Sequence, residues 1–315
     1  MKIVQIFNSD IMYWSMILKL SKYINLNSKK FSVKFFNQRL PFIYILFNYF
    51  YRKFIVNSNV EDKEILQFHK SGFVKIDISF KNEIDEYKDK FFINDQYIKD
   101  GIKKVPLELN ENDKINLISK IKEKLLPFLV KLENYFNCEI SIPDVTIWRN
   151  YNHKDSLNLD KEHFSNHFHQ DSYLMTYSKI FINLMDINEE DGPLEIVPRE
   201  NRNFFIKSFN YKDRHNYNVL GNKILIKKNT GKIGDCCLFS SPQIFHRAGV
   251  PKNYRDNMQI ILVAIPKKYS EKISNIDNAK LFDDNYDLFQ KFTKPYSIIK
   301  VIKLFFIHFK YKLNG

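Results

Sequence analysis

Cysteine is scarce in this 315-residue chain, which holds only Cys138, Cys236 and Cys237. The number is odd, and two of the three are adjacent inside the apolar run CCLF, where geometry disfavours a mutual bridge. They are expected to be buried as small hydrophobes in a reducing, cytoplasmic setting. Long hydrophobic runs are also missing. The apolar stretch from Leu40 to Tyr51 contains Pro41 and Asn48 and falls short of the roughly 20 residues that a bilayer span requires. No secretory leader is expected, because Asp10 interrupts the first apolar stretch and no small-residue cleavage site follows. There is no internal repeat, and no low-complexity segment beyond a general bias toward Asn and Lys.

Acidic residues are nearly absent from the two ends. Residues 1–60 carry nine Lys or Arg against the single acid Asp10, and residues 294–315 carry five Lys and no acid. These flanks account for the whole formal net charge of +13, so the portion between them is neutral. Both flanks are rich in Phe, Tyr, Ile and Leu. On a helix, Ile298, Val301, Ile302, Phe305 and Phe309 share one side, with Lys300, Lys303 and Lys310 on another. Two readings stay open. Such helices pack on a core with their lysines solvated, or they rest on an anionic membrane surface, which would place the protein peripherally at the inner membrane face. A nucleic-acid partner is not expected, since no recognition motif appears and the aliphatic content is too high for a solvated binding face.

A hydrophobic content of 44% and an aromatic content of 16% supply a real core. Three zones follow along the chain: a basic, aromatic-rich helical flank at 1–60, a central domain at 61–270 and a C-terminal helical flank at 271–315 with a basic amphipathic segment. The segment EILQFHKSGFVKI predicts a helix ending near Gly72 that feeds a strand from Phe73 to Ile76. Apolar residues at helical spacing from Ile115 to Phe136 predict a buried-face helix, kinked or split at Pro127. From Ser141 to Pro266 the pattern is strand-like: VTIWRNY, KIFINLMDI, PLEIVP, KILIKK, DCCLF and MQIILVAI, with turn signals between them. The fold expected is α+β with a mainly β core, a jelly roll with flanking helices.

The chemistry concentrates in HFHQDSY, residues 167–173, and in QIFHRAGV, which carries His246. His169 and Asp171 are two residues apart, so on an extended strand they point to one face. With His246 they make a two-histidine, one-carboxylate set, which suits Fe(II) and leaves positions open for further ligands. His163 and His167 form a rival His-x3-His pair, but Phe164 stands where a zinc protease would carry its glutamate. These two are expected to line the approach to the site or to have no role in it. Trp148 and Tyr173 read as core residues.

HFHQDSY, then FINLMDINEEDGPLEIVP, then GKIGDCCLF, then HRAGVPKNYR resembles, in that order, the phytanoyl-CoA dioxygenase family of Fe(II)- and 2-oxoglutarate-dependent oxygenases, over roughly residues 64–266. The resemblance implies a double-stranded β-helix of the cupin-like kind, with His169, Asp171 and His246 as metal ligands and Gln170 as the residue often found between the first two. It implies Fe(II), 2-oxoglutarate and O2 as metal, cosubstrate and oxidant. Arg255, nine residues past His246, matches the arginine that clamps the cosubstrate's distal carboxylate; Arg149 and Arg247 compete for that role, and Asn257 stands at the eleventh position. Arg199, Glu200 and Asn201 replace the family's Gly-Ser-His turn. Because Asp171 keeps the carboxylate that halogenating relatives lack, hydroxylation of an aliphatic C–H in a small-molecule or lipid-linked substrate is expected. The alternative is a catalytically inactive jelly-roll binding or scaffold protein at a membrane surface.

Overall fold

The computed structural model describes residues 56–265 except 58, 95, 97–103, 153–164, 172–176, 213 and 218–225. The flanks expected at 1–60 and 271–315, apart from residues 56, 57, 59 and 60, lie outside this range, as do His163 and Tyr173. Among the described residues no helix is long and apolar enough to cross a membrane.

Helix α1 (Lys63–Ser71) begins where the Asp62 carboxylate accepts from the Glu64 and Ile65 amides at 3.0 and 3.1 Å, which satisfies amides that have no partner within the helix. It ends at Gly72, whose φ of +73° is the left-handed conformation that glycine adopts without strain. A side chain there would also meet Ile244, with Cγ2 2.6 Å from the added carbon. Strand β1 (Phe73–Ile76) follows directly, as its sequence predicts. After a short helix α2 (Lys81–Asp85) and a three-residue strand β2 (Lys104–Pro106) comes α3 (Glu111–Phe136). This 26-residue helix is continuous through Pro127. Pro127 and Glu123, whose carbonyl would have received the missing amide, are both exposed, so water can take the place of the lost hydrogen bond.

Nearly all the remaining regular structure is antiparallel sheet. The strands are β3 (Glu139–Tyr151), β4 (Tyr177–Asn183), β5 (Leu194–Val197), β6 (Lys227–Lys228), β7 (Cys236–Phe239), β8 (Phe245–Ala248) and β9 (Tyr254–Ile265), with a short helix α4 (Arg202–Ser208) after β5. One sheet has the order β1-β7-β4-β9-β3-β2 and the other the order β6-β5-β8. The segment around His169 extends the second sheet, because His169 and His246 exchange backbone hydrogen bonds of 3.0 and 2.9 Å beside β8. Counting that segment as a strand between β3 and β4, the eight strands from β3 to β9 divide four and four between the two sheets, the chain crossing from one sheet to the other at every step except β5 to β6, and they form the jelly roll that the sequence pattern predicts.

The period-2 alternation of the strands divides the larger sheet into two faces. Ile180 and Ile182 of β4 and Met258, Ile260, Leu262 and Ala264 of β9 pack with Leu117, Ile121, Leu125, Phe128 and Leu132 of α3 in the main core. On the other face Phe73, Phe239 and Cys237 meet Leu194 and Ile196 of the smaller sheet. The outer side of that smaller sheet is closed by Phe205 of α4 packing with Phe168, Val197 and Phe245. The polar side chains of the inner face of the larger sheet therefore lie between the two sheets. All three cysteines are free, and burial pushes the Cys138 and Cys237 thiols up to about 12.

Candidate metal centre

The smaller sheet supplies two of the three donors. Because His169 and His246 form a directly opposed antiparallel pair, their rings project from the same face and lie side by side, with centroids 4.4 Å apart. Each ring is oriented by its own backbone. His169 Nδ1 donates to the His167 carbonyl at 2.7 Å, and His246 Nδ1 donates to the Ile244 carbonyl at 3.3 Å. A carbonyl can only accept, so Nδ1 carries the proton in both rings and Nε2 is left as the donor atom for a metal. Burial, with His169 nearby, pushes the His246 imidazole down to about 3, so it is neutral as ligation requires.

Asp171 is two residues beyond His169 and is fixed by its amide, which donates to the Ser241 carbonyl at 3.0 Å. Its Oδ1 stands 3.5 Å from His169 Nε2 and 3.9 Å from His246 Nε2. The ligand atoms of the three residues all lie within 4.8 Å of one another, the one such grouping among the described residues. The other oxygen, Oδ2, accepts from Lys179 Nζ at 2.6 Å. Burial works against the charge of Asp171, yet the Lys179 ammonium beside it holds its carboxyl well below the usual carboxylate range. Two imidazoles and one carboxylate on converging atoms form a donor set that fits a divalent first-row metal.

Three arginines compete on sequence for the cosubstrate carboxylate, and the structure separates their surroundings. Arg149 lies on the outer face of β3, paired through two 2.7 Å hydrogen bonds with Asp256 and stacked 3.9 Å over Tyr254. Arg247 is held by Glu195 at 2.6 Å on the outer side of the smaller sheet. Arg255 is on the inner face of β9, opposite Asn150, and is 3% exposed. Among the described residues its one hydrogen bond is a long contact of 3.4 Å from Nη1 to the Gly249 carbonyl, and its Nε has no partner there. Burial pushes the guanidinium down to about 10. A buried cation with unused donors is costly unless an anion meets it. Arg255 thus suits a carboxylate. Gln170 points away from His169 and Asp171, receiving Arg202 at 3.0 Å and donating to the Pro242 carbonyl at 3.2 Å. His167 Nδ1 lies 3.0 Å from the Arg214 carbonyl, and its ring is 5.4 Å from His215; neither it nor Arg247 joins the metal grouping.

Sequence reasoning missed two inner-face cations. Lys179 alternates with the core residues Ile180 and Ile182, so its inward direction was available from β4 once the face was known. Lys104 on β2 pairs with Asn150, which in turn pairs with Arg255 across β9. The Lys104 residue is exposed, yet its ammonium lies 4.0 Å over the Trp148 ring; desolvation there, then Lys179 and Arg255, push it down to about 8. The three-residue strand that carries Lys104 has no length of pattern to reveal it. Trp148 is buried against Phe181, as a core residue should be, but on the inner face. Where the resemblance lacks its usual turn, Arg199 bridges the His69 carbonyl and Gln243 Oε1, tying the smaller sheet to the end of α1.

No family model and no curated protein matches this chain. Among solved structures, the chain is similar to HygX from Streptomyces hygroscopicus, determined with nickel and 2-oxoglutarate bound, at 12% identity and a TM-score of 0.42, over 66% of this chain and 88% of that one. It is similar to the non-heme alpha-ketoglutarate-dependent epimerase SnoN from nogalamycin biosynthesis at 12% identity and a TM-score of 0.40, covering 64% and 81%. The carbocyclase SnoK from the same biosynthesis gives 12% identity and a TM-score of 0.40, covering 70% and 93%. At such scores these likenesses add nothing to the assignment, which rests on the chain's own topology and donor set.

Proposed function

We propose that the protein is an Fe(II)- and 2-oxoglutarate-dependent oxygenase related to the phytanoyl-CoA dioxygenase family. The observation that carries this reading is the convergence of His169 Nε2, His246 Nε2 and Asp171 Oδ1 inside the jelly roll, their atoms within 4.8 Å of one another. In this reading those three residues hold iron, and Arg255 receives the distal carboxylate of 2-oxoglutarate through a charge-assisted pair. When bound, the iron and its cosubstrate supply the oxidising power for insertion of oxygen into an unactivated C–H bond.

The chain's own residues have narrower tasks. The backbone carbonyls of His167 and Ile244 fix the imidazole tautomers and so make both Nε2 atoms available before metal arrives. The apolar residues between the sheets, Phe239 and Ile196 among them, keep bulk water from the site and strengthen the electrostatics within it. Asp171 contributes the single negative charge of the donor set. With that carboxylate in place, hydroxylation of an aliphatic C–H is the reaction we assign, on a small-molecule or lipid-linked substrate. The competing reading, a binding or scaffold module without turnover, gives no chemical reason for three convergent donors and a buried arginine with unused donors.

Turnover tests it. Purified protein with Fe(II), 2-oxoglutarate and O2 should form succinate, and Asp171→Ala should abolish this by removing the charged donor. Succinate formation by the Asp171→Ala protein at the wild-type rate would remove Asp171 from the site and defeat the reading. A screen of candidate substrates for stimulated succinate formation, membrane lipid extracts included, then identifies the compound.

A further inference from the structure

Asp171 presents its two oxygens to different partners. Oδ1 faces the imidazoles at 3.5 and 3.9 Å, while Oδ2 is 2.6 Å from Lys179 Nζ. The Lys179 and Asp171 side chains are each 14% exposed. Lys179 projects from the inner face of β4, where its cross-strand neighbours are Ile261 on β9 and Phe239 on β7. Neither carries a counter-charge; the Tyr177 ring lies 5.8 Å from the ammonium, and Asp171 is its one carboxylate partner among the described residues. A desolvated ammonium in such a place is held by its partner, and it holds that partner in turn.

Resting on the metal reading above, we propose that Lys179 is a positioning residue that restricts Asp171 to a single donor oxygen. A carboxylate can offer a metal one oxygen or both. Here the second oxygen is occupied by a cation from the neighbouring strand, so only Oδ1 is presented on the side of His169 and His246. The position that a second carboxylate oxygen would take is thereby kept for the cosubstrate. The same contact weakens Asp171 as a donor, since a cation on Oδ2 draws charge away from Oδ1 and repels an incoming metal ion. The acceptors on the two histidines act in the opposite sense, raising the basicity of Nε2. Lys179 would therefore trade metal affinity for an open position.

The trade gives the test a direction. Co(II), whose absorption in the visible reports coordination number, is titrated into metal-free wild type and Lys179→Met, and 2-oxoglutarate is then added to each. Loss of the lysine should tighten Co(II) binding by about tenfold, the scale on which partners of metal ligands act. It should also raise by about tenfold the 2-oxoglutarate needed to change the spectrum. Lys179→Arg, which keeps a cation at this place, should stay near wild type in both titrations; should the methionine variant fail to fold, Lys179→Gln is read in the same way. Co(II) affinity that is unchanged or weaker without the lysine overturns the positioning role, and a weaker 2-oxoglutarate response alone would make Lys179 a direct cosubstrate contact instead. If wild type itself binds no Co(II), the metal reading fails first, which separates that failure from this one.

Discussion

Along β4 and β9 alternate residues face two different environments. On the outer face of these strands, Ile180, Ile182, Met258, Ile260, Leu262 and Ala264 are buried against α3 and form the main core. On the inner face of the same strands, Lys179, Phe181, Asn183, Arg255, Asn257 and Gln259 alternate with them. Several inner groups are buried with polar atoms unmatched: Arg255 Nε, Asn257 Nδ2 and Asn183 Oδ1, with Asn150 Oδ1 beside them on β3. Burial without a partner costs about 1–3 kcal/mol for a polar group. The outer face is mainly apolar, with Ser178 Oγ its one buried polar atom without a partner on these two strands, whereas the other unmatched polar atoms gather on the inner face.

If the two faces have separate duties, substitutions on them should separate stability from binding. Leu262 is fully buried in the outer face. Leu262→Ala should cost about 2–5 kcal/mol in a denaturant titration, while metal affinity per folded molecule stays at the wild-type value. Loss of metal binding in the folded fraction would break the division. Arg255→Ala makes the opposite case. It should raise the 2-oxoglutarate concentration for half-maximal activity on the order of a hundredfold, the cost of a broken buried charge pair, with iron affinity and folding little changed. If Arg149→Ala or Arg247→Ala shows that effect and Arg255→Ala does not, the clamp lies on the outer face and the comparison is wrong.

How much of this the sequence revealed depended on pattern length. The nine-residue helix α1 with its glycine stop, the strand after it and the long strands β3, β4 and β9 are legible because period and turn chemistry repeat over enough residues to be counted. The metal donors are legible because His169 and Asp171 fall at strand spacing. Strand β8 was not, although it carries His246, since the four residues Phe245–Ala248 show no alternation that a longer segment would. Its partners are β5 on one side and, on the other, the His169 segment 77 residues earlier in the chain, and such pairing is set by topology. The same holds for Gln170 and Arg149. Gln170 sits between two donors in sequence and Arg149 lies on a strand of the site's larger sheet, but the pleat turns them away, toward Arg202 and Asp256. Arg255 and Lys179 could be placed only once the inner face was known.

The smallest expected effect concerns acid. In the metal-free protein the buried His246 is held neutral down to about pH 3, whereas in the unfolded chain it takes up a proton near pH 6.5. Between those values the unfolded state binds the extra proton, so this residue's contribution to stability falls as pH falls, by about 1.4 kcal/mol per pH unit. His246→Gln should flatten the decline of unfolding free energy between pH 6 and pH 4 by about that amount. An unchanged slope would mean that the ring is not buried neutral as described.

The donor set itself is tested most directly without turnover. Under strictly anaerobic conditions, Fe(II) and 2-oxoglutarate added together to the wild-type protein should produce a visible metal-to-ligand charge-transfer absorption that neither produces alone. His169→Ala, folded to the same extent by circular dichroism, should show none. Absence of the absorption in well-folded wild type, or its persistence in His169→Ala, would contradict the assignment of His169, Asp171 and His246 as an iron centre.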